Sequence, residues 1–298
     1  MATKSKAAKS PKPGKAGSAA KSSAPGASSA AASEAKQIDD RVAGLVESPL
    51  DACASDENLQ AVLDILRNRN EPVEVRLAAL QSLQAASFSV NAFESSRGDY
   101  TLALRQVAED PNPELRQRVL GLLAREKDGF AQKKLLAGLK NPEKALVPPE
   151  KALQLLSYDV HAETYAAARA IVSNPPNAMA RREALRLLAA DATSAPMFEK
   201  ILRDKDERAE IRQIAASALQ ALKPAKLQAH ARELLLDTSE YEDIQATSLT
   251  AVTQFGDGAA IAADQELVKC VDRLSESGGS KVKQGARRFL SKYGFTTK

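Results

Sequence analysis

Residues 110–126 read Asp110-Pro111-Asn112-Pro113-Glu114-Leu115-Arg116-Gln117-Arg118-Val119-Leu120-Gly121-Leu122-Leu123-Ala124-Arg125-Glu126. Asp110 closes one helix, because a short polar side chain bonds nearby backbone and favours a turn. Pro111 and Pro113 prevent that helix from continuing. Glu114 then falls in the first turn of a second helix, where its charge suits the dipole. Within that helix Leu115, Val119, Leu122 and Leu123 recur at helical spacing and form one apolar stripe. The block is therefore a turn between two helices.

The block repeats. The first helix of each unit ends in an apolar residue, one intervening residue and a short polar residue. Leu66–Asn68, Ala108–Asp110, Leu139–Asn141, Val172–Asn174, Leu202–Asp204, Leu235–Asp237 and Leu274–Glu276 fit. Second helices are expected to start at Glu74, Glu114, Val147, Met179, Glu210, Asp243 and Lys281, with gaps of 40, 33, 32, 31, 33 and 38. This period suits stacked helix pairs.

Aligning these starts sharpens the pattern. Five residues on stands a small or β-branched residue: Ala79, Val119, Ala152, Ala184, Ala215, Ser248 and Ala286. Nine on stands Leu83, Leu123, Leu156, Leu188, Leu219, Val252 or Leu290. One on, Val75, Leu115, Ile211, Ile244 and Val282 share the same helical arc. The small residue lets paired helices approach, and the aliphatics fill the groove. Prolines fall between proposed helices or in a first turn, as Pro72, Pro142, Pro148, Pro149, Pro175, Pro176, Pro196 and Pro224 do.

The pattern resembles the HEAT-repeat family of α-solenoids. The resemblance rests on Asp110-Pro111, Leu115-Arg116 and Val119-Leu120, on Asp204 or Asp206 with Ile211-Arg212 and Ala215, and on Val75-Arg76 with Ala79-Leu80. It covers about residues 56–294. It implies an all-α fold, an α-solenoid of about seven HEAT-like helical hairpins, after a disordered N-terminal tail. The third and fourth units depart from it, since Pro148 and Pro149 replace the apolar-Arg pair and Ala180 replaces the large aliphatic. A local kink or shifted register is expected there. The insertion 84–99 also departs from the family's short turns.

Composition agrees with helices. Hydrophobic residues make up 44% of 298, and there is no Trp. Residues 1–36 hold seven Lys and one Glu, 7 − 1 = +6, while the remainder carries 35 − 37 = −2. This Lys, Ala, Ser and Pro-rich tail is expected to be disordered. It resembles the lysine-rich tails of linker histones. Lys4, Lys6, Lys9, Lys12, Lys15 and Lys21 are therefore candidates to meet nucleic-acid phosphates, and a solubilising tail reads the same way. Order is expected to begin near Gln37. Ile38, Val42 and Leu45 mark a capping helix over 37–48, ended by Pro49. No apolar run reaches membrane-spanning length and no secretory signal is evident, so a cytoplasmic location and no membrane partner are expected. Cys53 and Cys270 read as small, reduced, packing residues rather than a disulfide.

Arg76, Arg116, Arg181, Arg212 and Lys283 occupy one equivalent position. They form either a ladder gripping an anionic partner or, as the resemblance implies, ion pairs to turn acids of neighbouring units. Three and seven residues after each start, helical angle points away from the apolar arc. Gln81, Gln117, Gln154, Arg182, Arg186, Gln213, Gln284 and Arg288 stand there. The resemblance implies that this helix lines the concave surface, where a protein partner binds. An ordinary solvated face gives the same residues. His161 and His230 lack companions at metal-ligand spacing, and the Gly256-Asp257-Gly258 and Gly278-Gly279 runs read as turns. Phe88, Phe93 and Tyr100 in the insertion either anchor a partner or fold back on the core.

The expected function is a non-enzymatic scaffold or adaptor for a protein partner, without cofactor or metal. The alternative is nucleic-acid association through the tail. Two HEAT-like enzyme types, phycobilin lyases and alkylpurine DNA glycosylases, are the remoter possibility.

Overall fold

The computed structural model describes residues 26–47, 56–88 and 93–295. The tail lysines Lys4 to Lys21, Pro49 and Cys53 lie outside the described residues. All regular structure among the described residues is helical. Helix α1 spans Gly26–Glu47. Seven hairpins follow: α2 Asp56–Arg67 with α3 Val73–Ala86, α4 Arg97–Val107 with α5 Pro113–Arg125, and α6 Gly129–Lys140 with α7 Pro149–Leu156. Next come α8 Ala162–Ser173 with α9 Ala178–Leu188, α10 Ala195–Arg203 with α11 Ala209–Leu222, and α12 Pro224–Leu236 with α13 Glu242–Phe255. A short α14, Gly258–Ala263, precedes the last pair, α15 Gln265–Ser277 and α16 Ser280–Lys292.

Six of the seven second helices begin one residue before the expected start. The exception is α7. It was expected at Val147 and begins at Pro149, with Pro148 as its N-cap. A proline is favoured at the first helical position because its missing N–H would be unpaired there anyway. Pro142 opens a 3-10 turn in the same connection, over Pro142–Lys144. The last first helix also overruns its expected end, reaching Ser277.

The largest departure is at the N-terminus. Helix α1 starts at Gly26, eleven residues before Gln37, so the run Gly26–Lys36 assigned to the tail is helical. That run is rich in Ala, the best helix former, and needs no buried face to propagate from the part that packs. Within α1, Ile38, Val42, Ala43 and Leu45 are half-buried and the rest of 31–47 is exposed. The helix packs on α3. Its Arg41-Val42-Ala43-Gly44-Leu45 matches Arg76-Leu77-Ala78-Ala79-Leu80 in α3 position for position. Helix α1 therefore occupies the place of a second helix preceding the first hairpin.

Helices pack in chain order. Second helices meet second helices along α1, α3, α5, α7, α9, α11, α13 and α16. First helices meet at α2 with α4, α6 with α8, and α12 with α15. The small positions Ala79, Val119, Ala152, Ala184, Ala215, Ser248 and Ala286 are all buried, as are the aliphatics four residues beyond each. Each fully buried Leu contributes about 1.5–3 kcal/mol. Two hydrophobic clusters share the α12–α13 hairpin. Leu227, Leu234 and Ile244 face the first, and Ala231, Leu235 and Leu249 the second. In the insertion, Phe93 and Tyr100 fold inward and meet edge to face, 5.3 Å between centroids, whereas Phe88 is 78% exposed.

Two sets of polar contacts tie adjacent hairpins together. In the first, Arg76 donates through Nε to the Leu66 carbonyl of its own first helix (3.0 Å) and through Nη2 to Asp110 of the next turn (2.7 Å). Arg212 repeats this with Leu202 (2.9 Å) and both oxygens of Glu240 (2.8 and 2.6 Å). Arg41 pairs with Glu71 at 2.7 Å and Arg181 with Glu207 at 2.5 Å. Arg116 meets no acid in the next unit. It donates to the backbone carbonyl of Leu146, because the third turn offers a proline-bounded loop there. In the second set, Arg105, Arg169 and Arg232 on first helices pair with Asp128, Asp191 and Asp264, which stand before later helices.

Those aspartates divide their oxygens. Asp128 Oδ1 accepts from the backbone N–H groups of Phe130 and Ala131, capping α6, while Oδ2 takes Arg105 at 2.6 Å. Asp264 Oδ1 likewise accepts from Leu267 N–H, and Arg232 donates through Nε to Oδ2 at 2.6 Å and through Nη2 to Oδ1 at 3.3 Å. A cap is worth about 0.5–2 kcal/mol, so each of these residues fixes a helix end and its neighbour together.

Candidate functional site

The residues three and seven after each second-helix start lie where helical angle places them, at the surface. Gln117, Gln154, Arg186, Gln284 and Arg288 are exposed, and Arg182 and Gln213 are half-buried. They do not converge on one site. Three of them are committed to protein partners. Gln213 donates to Thr247 on the next second helix (3.0 Å), Arg182 to Glu210 (3.2 Å), and Arg186 to Glu183 on its own helix (2.8 Å). The first two contacts hold neighbouring hairpins in register.

Gln117 stands in a groove of about 530 Å³ that crosses α3, α5 and α7. Leu77, Leu80, Leu122 and Leu155 floor it. Gln81, Gln84, Arg118, Arg125 and Lys151 supply its polar edge, and Tyr158 stands at its end, 48% exposed. Three consecutive second helices thus present apolar floor, amide donors and cations together. Arg118 is paired with Glu114 at 2.8 Å, but both side chains are more than half exposed, so the pair is weak and readily exchanged. Sequence reasoning found Gln81 and Gln117. It missed Arg118, the chain neighbour of Gln117, and Arg125, Lys151 and Tyr158, each three or four residues from an aligned position.

Two further grooves contain Arg182, Gln284 and Arg288, whereas Gln154, Arg186 and Gln213 line neither. Arg182 borders one with Pro175, Asn177, Met179 and Arg208. Gln284 and Arg288 border another, between α13 and α16, with Thr250, Gln254 and Lys281. Away from this face, the irregular third and fourth turns enclose an apolar cavity of about 450 Å³ lined by Leu135, Leu139, Val147, Ile171 and four prolines.

The remaining chemically notable side chains have structural surroundings. The Cys270 thiol donates to the Leu235 carbonyl at 3.2 Å, and burial pushes its pKa up. His230 meets Glu199 at 2.7 Å, and His161, exposed at the start of α8, meets Asp159 at 3.1 Å. Asp257, in the Gly-Asp-Gly run, caps α14 by accepting from Ala260 N–H. Among the described residues no group of three or more His, Cys, Asp or Glu is placed to hold a metal ion. None of their helices is long and apolar enough to cross a membrane.

Compared with known proteins, the chain matches no family model, no curated protein and no solved structure.

Proposed function

We propose that this chain is a HEAT-like α-solenoid acting as a non-enzymatic scaffold, and that it binds an extended segment of a protein partner along its second-helix face. The larger helix–helix contacts run between adjacent hairpins, which supports the solenoid reading, because each unit then buries its apolar edge chiefly against the next. The arginines that reach forward to the next turn's acid support the HEAT likeness, since that device recurs from Arg41 to Arg212.

The single observation that carries the binding role is the groove across α3, α5 and α7. Its leucine floor is small beside its polar lining, and Leu80 and Leu155 are already buried, so hydrogen bonds and charge supply most of the affinity. Gln81, Gln84 and Gln117 offer the paired donor and acceptor that an extended backbone needs. Arg118, Arg125 and Lys151 bias the segment toward acidic residues.

A photo-cross-linking residue placed at Gln117 or Tyr158 tests this in the native cell. The control position is Gln106, exposed on first helix α4. The expected result is a discrete adduct from Gln117 and Tyr158, lost when Arg118 and Lys151 are both replaced by Glu. Equal labelling from Gln106, or adducts indifferent to the double replacement, would overturn the reading.

A further inference from the structure

Helix α16 carries Lys281, Lys283, Arg287, Arg288 and Lys292 and no acidic residue. Two of these cations are committed within the protein. Lys281 pairs with Asp243 at 2.9 Å, and Lys292 donates to the Thr253 carbonyl. Lys283 stands at the position where Arg76, Arg181 and Arg212 find a carboxylate, yet no acid answers it among the described residues. Arg287 and Arg288 are exposed and also have no ion-pair partner there.

From these placements we infer that α16 is a binding face for the phosphate backbone of nucleic acid. Ser280, Lys283, Gln284, Arg287, Arg288 and Ser291 line one continuous shallow groove along the helix. They recur at i, i+3, i+4, i+7, i+8 and i+11, so they share one stripe over the helix's length. Every member is a hydrogen-bond donor, and none is apolar. The apolar surface of the groove comes from the stems of these polar side chains, so a docking protein helix would find no aliphatic or aromatic side chain to anchor on, whereas interfaces between proteins rest on an apolar or aromatic centre. A phosphate backbone requires only cations and donors, and Lys, Arg, Ser and Gln are the side chains that contact it. Lys283 to Arg288 spans about 7.5 Å of helix. One strand of a duplex advances about 3.4 Å per phosphate along its axis, so a helix lying along that axis sets the three free cations over about three successive phosphates. Binding of this kind is blind to sequence and sensitive to salt.

The test uses the full chain, a chain lacking residues 1–25, and each with Lys283, Arg287 and Arg288 replaced by Glu. A parallel set with Gln replacements guards against misfolding, and helical circular dichroism checks every variant. The probes are a labelled duplex of mixed sequence and a labelled poly-glutamate peptide, followed by fluorescence anisotropy across about 50–200 mM salt. The duplex is expected to bind the chain lacking residues 1–25. The triple replacement is expected to weaken it about tenfold or more and to flatten the log–log salt slope by about 2.7, at 0.9 per lost phosphate contact. Unchanged affinity and slope in the triple variants would overturn the inference. So would failure of the shortened chain to bind duplex, or poly-glutamate binding as tightly as duplex with the same dependence on these three residues. The last result would make the face a dock for an acidic protein instead.

Discussion

The Arg76 guanidinium donates to Asp110 Oδ2 at 2.7 Å, and the two side chains are only 3% and 1% exposed. One residue belongs to the first hairpin and the other to the turn of the second, so a sealed ion pair crosses the boundary between units. Both partners are also held from elsewhere, Arg76 by the Leu66 carbonyl and Asp110 by the Asn112 N–H. Removing one partner strands the other charge in a dry site. Asp110→Ala and Arg76→Ala are each expected to cost about 3–5 kcal/mol in urea unfolding. Replacing both with apolar residues of similar volume is expected to recover most of the loss. A double-mutant cycle without coupling would contradict the pair's role.

Acid should loosen the same boundaries. Burial pushes Asp110, Asp128 and Asp191 up, but their arginines, backbone N–H groups and, for Asp191, Ser194 and Thr193 outweigh it and hold all three below the usual carboxylate range. A depressed native pKa gives stability that is present above the unfolded value of about 3.9 and lost as pH falls through the native value. Urea midpoints are therefore expected to stay flat near neutrality and to fall below about pH 5. Asp128→Asn keeps an acceptor for the cap and loses the charge, so its profile should fall less steeply. An unchanged profile would remove Asp128 from this account.

Much of this was legible before any coordinates. The small residue and the Leu four positions later recur with the helical period, and burial selects for that period directly. All fourteen positions so aligned are buried. The second set of ion pairs was not legible, because its partners lie 22 to 32 residues apart at irregular spacing, as Arg169–Asp191 and Arg232–Asp264 do. Only the folded path of the chain brings them together. Helix α1 was half legible. Its Arg41-to-Leu45 run repeats the pattern of α3, but the lysine-rich composition upstream outweighed the helix propensity of its alanines. The basic face of α16 was hidden by averaging, since acidic hairpins elsewhere leave residues 37–298 at −2.

The two phenylalanines of the insertion should behave oppositely. Phe93 is 1% exposed and meets Tyr100 edge to face. Phe93→Ala removes that contact and leaves a cavity, for an expected loss of about 3–5 kcal/mol. Phe88 is 78% exposed, and Phe88→Ala should change stability by less than about 0.5 kcal/mol. Equal losses from both, measured by chemical unfolding, would mean that the insertion packs differently.

Ser248 offers the sharpest test of the repeat register. It stands where the other units carry Ala or Val, it is wholly buried, and its hydroxyl has no hydrogen-bond partner among the described residues. A buried polar group without a partner costs about 1–3 kcal/mol. Ala fits the same space, because six equivalent positions already hold Ala or Val at the same depth. Ser248→Ala should therefore raise stability, by about 1 kcal/mol after allowing for the lost volume of one oxygen. Ser248→Leu tests the other side of the same argument. The position sets the approach of paired helices, so added methylenes have nowhere to go, and overpacking costs about 1–3 kcal/mol. The two substitutions should move the urea midpoint in opposite directions. A loss on substitution by Ala would mean that the hydroxyl has a partner, and would remove Ser248 from the register it shares with Ala215 and Ala286.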